Sequence, residues 1–210
     1  MPILLATTNP GKLREIGLIL SGLPQAFVTL DDLPAVPEPE EIGATFAENA
    51  RQKALYYARA TALPTVAEDS GLEIDALDGA PGIYSSRYSG ATYPEKFENI
   101  YAALRARGAK DSTARFACCL ALARGNAIMF EARGTVEGVI AEAPRGAHGF
   151  GYDPIFFHPP SGRTLGELED DEKRAVSHRG EAFRALRAYL NGRSPDEFGP
   201  ASTSCLSSRR

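Results

Sequence analysis

The chain has 210 residues, 43% of them hydrophobic and 24% charged, which bounds it to one domain or two small ones with a sizeable core. Collagen-like, low-complexity and wholly disordered chains are excluded by that composition. The 27 acidic and 23 basic residues leave a net charge of −4, with no general attraction for nucleic acid or anionic lipid.

PILLAT is a short apolar run that predicts a strand, and TTNPG leads into KLREIGLIL, where Leu13, Ile16, Ile19 and Leu20 recur at helical spacing. Asn9 is the expected cap and Pro10 suits the first turn. AFVTL predicts a second strand. The prolines and acidic residues of DDLPAVPEPEEIG make a loop, and a long helix is expected from Thr45 onward. PTVAEDSGLEIDAL reads as a buried strand ending at Glu68 and Asp69, a turn at Ser70 and Gly71, and a further strand. Residues 78–92 are rich in Gly, Ser and Pro, and their length suggests a functional loop. Helix returns over about 93–107. STARFACCLALA and AIMFEARGTVEGVIAEA predict two long strands joined at Gly125 and Asn126, a hairpin signal. IFF is a short strand after a turn-rich stretch. LEDDEKRAVSHRGEAFRALRAYLNG is one helix or two, closed by Asn191 and Gly192. Residues 1–192 therefore read as one α/β domain with a mixed sheet, and 193–210 as a disordered tail.

No apolar run approaches the roughly 18 residues of a membrane span, and the N-terminus lacks the marks of a secretory leader, so the expected compartment is the cytoplasm. Cys118 and Cys119 are adjacent and Cys205 lies in a Ser-rich stretch, which offers no disulfide framework.

The chemistry-bearing residues fall into four groups. Thr7, Thr8, Asn9, Pro10, Gly11 and Lys12 stand where a strand hands over to a helix, a place where backbone N–H groups and the helix dipole can hold phosphate. It is not a P-loop: Ala6 replaces the first glycine and Leu13 the metal-binding Ser/Thr. A capped helix start with a solvated lysine explains it as well. At EDSG, Asp69 with Glu68 or Glu41 could supply the oxygen ligands magnesium prefers, although an Asp-Ser-Gly turn capping its own backbone fits equally. GFGYDP offers Phe150 as a ring to stack on a planar ligand, against the alternative that Phe150 and Tyr152 anchor a loop in the core. Lys173, Arg174, His178 and Arg179 gather in what could be a solvated helix face, and Lys173 and His178 need a break or bend to converge. The signatures H-E-x-x-H, C-x-x-C and G-x-S-x-G do not occur.

In order along the chain, TTNPGK, TFAENARQKA, AEDSGLEIDALDGAPGIYSSRYSG, GFGYDPIF and EKRAVSHRGEAFRAL resemble the Ham1-like nucleoside triphosphate pyrophosphatases, with the bacterial dITP/XTP pyrophosphatase branch most similar. The resemblance spans roughly residues 3–190. It implies an elongated α/β fold on a long mixed sheet, with two lobes around a central nucleotide cleft. It implies a cytoplasmic homodimer that uses Mg2+ to hydrolyse ITP, dITP and XTP to the monophosphate and pyrophosphate. By the same resemblance, Thr7 to Lys12 are the triphosphate-binding element. Asp69 is the catalytic base and a metal ligand, Glu41 a second metal-side acid, and Ser70 a substrate contact. Phe150, Gly151, Tyr152 and Asp153 are the base-binding segment, Lys173 binds substrate, and His178 with Arg179 lies near the purine. Thr8 is a departure, since many relatives in the family have glycine at that position, with more backbone freedom. A Maf-like pyrophosphatase acting on other nucleotides is the alternative, against which SHRG and FGYD argue. A non-catalytic nucleotide sensor is another, against which the presence of both Asp69 and Glu41 argues.

Overall fold

The computed structural model describes residues 1–109 and 112–198. β1 (Ile3–Leu5) is fully buried and leads to α1 (Pro10–Leu20), capped as expected by the Asn9 side chain, which accepts from the Lys12 amide at 3.1 Å. β2 (Phe27–Thr29) precedes the acidic loop. α2 (Phe46–Thr61) begins where Thr45 accepts from the Glu48 amide at 3.1 Å. β3 (Thr65–Ile74) is followed by a 3-10 turn at Gly82–Arg87, then α3 (Tyr93–Ala106), whose Thr92 and Glu95 form a capping box. β4 (Thr113–Arg124) and β5 (Ala127–Ile140) are the long hairpin, turning at Gly125 and Asn126. β6 (Phe156–His158) and β7 (Arg163–Thr164) are short, and the chain continues through α4 (Asp170–Val176) and α5 (His178–Asn191).

The strands form one mixed sheet in the order β2-β1-β3-β4-β5-β6-β7, parallel across β2, β1 and β3 and antiparallel beyond. α1 and α5 cover one face, packing Ile16, Ile19, Phe183 and Leu186 against Val66, Cys118 and Leu120. On the opposite face α2 packs Phe46, Ala50 and Ala54 against Ala67, Ala117 and Cys119. A third cluster, around Leu72, Ile100, Phe116 and Phe156, fills the other end of the long strands under α3.

Two expectations are corrected. The EDSG segment contains no turn: β3 runs unbroken because β4 pairs with it residue by residue, Asp69 opposite Cys119, Ser70 opposite Cys118 and Gly71 opposite Ala117. Gly71 serves close approach instead, since a Cβ there would lie 2.3 Å from Ser85 Oγ. The segment after Gly192 is not loose throughout, because Pro195–Phe198 forms a 3-10 turn and Phe198 is buried in the α1/α5 core. The remainder of the expected tail, with Cys205, lies outside the described residues. Cys118 and Cys119 are buried and unbridged, and no helix among the described residues is long and apolar enough to cross a membrane.

Candidate active site

The cleft arises from unequal strand lengths. β1 pairs with β3 only at Leu4–Thr65 and Leu5–Val66, then the chain peels away through Thr7, Thr8 and Asn9 while β3 continues. Beyond Val66, β3 has no strand on that edge except an isolated bridge from Glu73 to Pro81. In place of a strand, the Gly82–Arg87 turn approaches that edge at Gly71 and Leu72, and α1 begins beside it.

Strand alternation then sends successive carboxylates to opposite faces. Glu68 points to the α1/α5 face, where Lys12 Nζ lies 2.7 Å and Arg179 Nη2 3.4 Å away. Burial alone would raise its pKa, but the charges of Arg179 and Lys12 hold it well below the usual carboxylate range. Glu68 is therefore paired with two cations on the face opposite Asp69. Asp69 points to the α2 face, accepting from Asn49 Nδ2 at 2.9 Å and from the Ser70 amide at 3.0 Å. Burial is the main reason its pKa rises, with the charges of Glu41 and Glu68 adding to it. Glu41, from the acidic loop, accepts from Lys53 Nζ at 2.5 Å and Arg87 Nη1 at 3.1 Å.

The residues expected near the base converge through a second buried ion network. Lys173 Nζ lies 2.6 Å from Asp153 and 2.5 Å from Glu15, and Arg179 donates to Glu15 at 2.7 Å and to Ser70 Oγ at 2.9 Å. Both cations are nearly inaccessible, and their carboxylate partners outweigh burial in keeping them charged. The break needed between Lys173 and His178 is Ser177, which ends α4 and caps α5 by accepting from the Gly180 amide. Phe150 is held under both cations, 4.6 Å from Lys173 Nζ and 5.4 Å from the Arg179 guanidinium. Gly11 permits this, since a Cβ would come within 2.6 Å of the Phe150 ring.

Not every residue of the F-G-Y-D segment faces the ligand space in the same way. Tyr152 is buried, and its hydroxyl donates to the Ser85 carbonyl at 2.8 Å, so it ties the Gly82–Arg87 turn to the site. Asp153 accepts from the Phe150 amide at 2.7 Å and from Lys173, so it sets the loop. Gly151 has φ +68°, a conformation that favours glycine. His178 stacks on Phe116 with 4.8 Å between rings, and burial with the Arg179 charge drives its pKa well below the ordinary value. Its Nδ1 and the Arg179 Nε are buried without partners. Thr8 does not take a positive φ, so the departure from glycine costs no backbone strain.

Two cavities meet here. One, about 480 Å³, is lined by Thr7, Thr8, Lys12, Glu41, Lys53 and Arg87 among others. The second, about 110 Å³, is lined by Ser70, Phe150, Gly151, Lys173, His178 and Arg179 with their neighbours. Asn9, Lys12 and Ser86 line both. A larger cavity of about 980 Å³ lies away from this cluster, beside Thr45, Arg51, Tyr84 and Arg133, and holds none of the expected residues.

Several participants escaped the reading from sequence. Asn49 and Lys53 lie within TFAENARQKA but nothing singled them out. Ser85, Ser86 and Arg87 lie in the stretch whose length suggested function, and Glu15 carries no signal beyond a lone acid on an amphipathic helix.

Residues 3–189 match the Ham1 family. A dITP/XTP pyrophosphatase of Thermus thermophilus is 50% identical over 202 residues, covering 94% of this chain and 96% of that protein. The dITP/XTP pyrophosphatase of Geobacter sulfurreducens is 46% identical over 190 residues, 90% of this chain and 96% of that one. A HAM1 protein from Coxiella burnetii has the same fold, with a TM-score of 0.86 at 43% identity over 92% of this chain and all of that one. Sequence and fold agree over nearly the whole length, and the chain belongs to the Ham1 family.

Proposed function

We propose that this protein hydrolyses non-canonical purine nucleoside triphosphates, namely dITP, XTP and ITP, to the monophosphate and pyrophosphate, clearing them from the nucleotide pool. One observation carries this reading: the two cavities are neighbours, sharing Asn9, Lys12 and Ser86 in their linings. A single ligand can therefore set a planar base beside Phe150 and a phosphate chain beside Lys12 and Lys53. The dITP/XTP pyrophosphatases described above are similar over this whole region.

The donor set fits a hard divalent cation. Asp69 and Glu41 offer carboxylate oxygens, the hard donors magnesium takes one or two at a time, completing its shell with water and phosphate oxygens. Asp69 and Glu41 would hold Mg2+, and when bound it supplies neutralisation of phosphate charge. Asp69 takes a proton from the water that attacks the α-phosphorus. As the new P–O bond forms, the bond from that phosphorus to the α,β-bridging oxygen breaks and its electron pair leaves with pyrophosphate. Lys12 and Lys53 offset the charge on the phosphates, the main demand of phosphoryl chemistry on a protein.

At the base end, His178 Nδ1 and Arg179 Nε are buried without partners in residues that line the smaller cavity, and this reading assigns them to the polar edge of an oxopurine. Inosine and xanthosine present an oxygen at position 6 and adenosine an amino group. Each mismatched buried contact costs roughly 1–3 kcal/mol, so rejection of ATP takes more than one. In the same reading the protein works in the cytoplasm as a homodimer, and residues 1–192 form one domain of two lobes around the cleft. Sedimentation velocity tests the dimer.

The test of function is pyrophosphate release, with the nucleoside product identified, from ITP, dITP, XTP, GTP, ATP and dTTP with and without magnesium. Magnesium-dependent pyrophosphate with IMP or XMP, and little turnover of ATP or GTP, is expected. Release of single phosphate, preference for dTTP, or binding without turnover overturns the reading.

A further inference from the structure

Three cations line the phosphate-side cavity, and they are held differently. Lys12 is paired with the buried Glu68. Lys53 and Arg87 share Glu41, one on each carboxylate oxygen, at 2.5 and 3.1 Å. Each oxygen of Glu41 thus carries one cationic donor, and a guanidinium held against the carboxylate competes with a divalent cation there through like-charge repulsion. Arg87 is the more releasable: its side chain is 50% exposed against 12% for Lys53, and its contact is the longer.

Its backbone, by contrast, is fixed. Arg87 ends the Gly82–Arg87 turn, which is pinned at three points. Ser85 Oγ accepts from the Leu72 amide at 2.9 Å, the Tyr152 hydroxyl donates to the Ser85 carbonyl, and Lys96 Nζ donates to the Ser86 carbonyl at 2.5 Å. The turn presents a swinging guanidinium to the cavity from a rigid base. A guanidinium is planar, always charged and suited to bidentate contact with phosphate, so a polyphosphate entering this space offers it a better acceptor than half of a shared carboxylate.

We propose that Arg87 is a substrate-binding residue that holds the pyrophosphate portion of the triphosphate, and that it leaves Glu41 to do so. This rests on the reading of the site as a triphosphate hydrolase and extends it to the leaving group. Polyphosphate binding frees an oxygen of Glu41, and occupation of Glu41 by a cation frees Arg87. The two events promote each other, and the coupling is reciprocal.

The test uses the full chain and its Arg87→Met and Arg87→Lys variants, with thermal unfolding as a check on folding. Calorimetric titration with inorganic pyrophosphate in metal-free buffer is expected to show about tenfold weaker binding for Arg87→Met, the scale of a lost charge-assisted hydrogen bond, and partial recovery for Arg87→Lys. Titration with Mg2+ alone is expected to show several-fold tighter binding for Arg87→Met, because a competitor for Glu41 is gone. Pyrophosphate affinity unchanged in Arg87→Met, no pyrophosphate binding by the unsubstituted protein, or magnesium affinity no tighter overturns the proposal. Turnover of ITP is measured separately: pyrophosphate binding that depends on Arg87 in a protein that leaves ITP intact overturns the hydrolase reading and keeps the polyphosphate contact.

Discussion

Asp69 and Glu68 are neighbours in sequence with different tasks because a strand turns consecutive side chains to opposite faces. Glu68 is locked between Lys12 and Arg179, whereas Asp69 is held by Asn49 and the Ser70 amide with Glu41 close by. Asp69→Asn keeps the size and the backbone contact but cannot accept a proton. Loss of turnover by at least about 100-fold is expected with cooperative unfolding retained, measured by pyrophosphate release and thermal unfolding. Glu15 is the shared partner of Lys173 and Arg179, both buried. Glu15→Ala leaves two buried cations short of a counter-charge, and a loss of about 3 kcal/mol in urea unfolding is expected. An effect below 1 kcal/mol shows that Asp153 and Glu68 suffice. His178 has a folded pKa well below its unfolded value near 6.5. Below pH 6.5 the unfolded chain takes up a proton that the folded chain refuses, so stability falls as pH falls. The unsubstituted protein should lose up to about 1.4 kcal/mol more per pH unit between pH 6 and 5 than His178→Gln; parallel curves show that His178 is protonated in the fold.

At the scale of elements, two glycines on strands, Gly71 and Gly134, admit the close approach of neighbouring segments. Gly134 on β5 lies against the start of α5, where an added Cβ would stand 2.1 Å from the His178 carbonyl oxygen and 2.7 Å from the Ala182 amide. Those are backbone atoms and cannot rotate aside, so α5 as a whole must shift. Gly134→Ala should cost about 2–3 kcal/mol and, because α5 carries His178 and Arg179, raise KM for the nucleotide more than it lowers kcat. Full stability with an unchanged KM shows that the helix is seated more loosely than drawn. The Ser177 break between α4 and α5 also places residues of the site: its Oγ caps α5, and Lys173 before the break and Arg179 after it both reach the Phe150 ring.

For the whole molecule, the two ends of the described chain enter one core. Ile3 and Leu5 of the first strand and Phe198 of the last described turn belong to the cluster beneath α1 and α5. Phe198→Ala is expected to lower stability by about 3 kcal/mol, seen in urea unfolding, while leaving KM unchanged because the residue lies outside both cavities. A smaller loss with normal activity places the 3-10 turn outside the cooperative unit. The long β3–β4–β5 strands tie this core to the one under α3, so the cleft opens at the edge where β1 stops.

Local chemistry alone made much of this legible. The Asn9–Pro10 helix start, the Gly125–Asn126 hairpin, the mixed α/β sheet and the ordered motifs of the family can all be read from residues close together in the chain, because caps, turns and periodicity are short-range properties. The unbroken course of β3 could not be read, since Asp-Ser-Gly prefers a turn and only the β4 ladder overrides that preference. The same holds for the division of labour between Glu68 and Asp69, the buried Phe198, and the parts played by Glu15, Lys53 and Arg87. Each depends on partners distant in sequence, as with Arg179 and Glu15, 164 residues apart, and on burial, which decides whether a charge is solvated, paired or free to bind. Those are decided when the helices close over the sheet, and no local pattern encodes them.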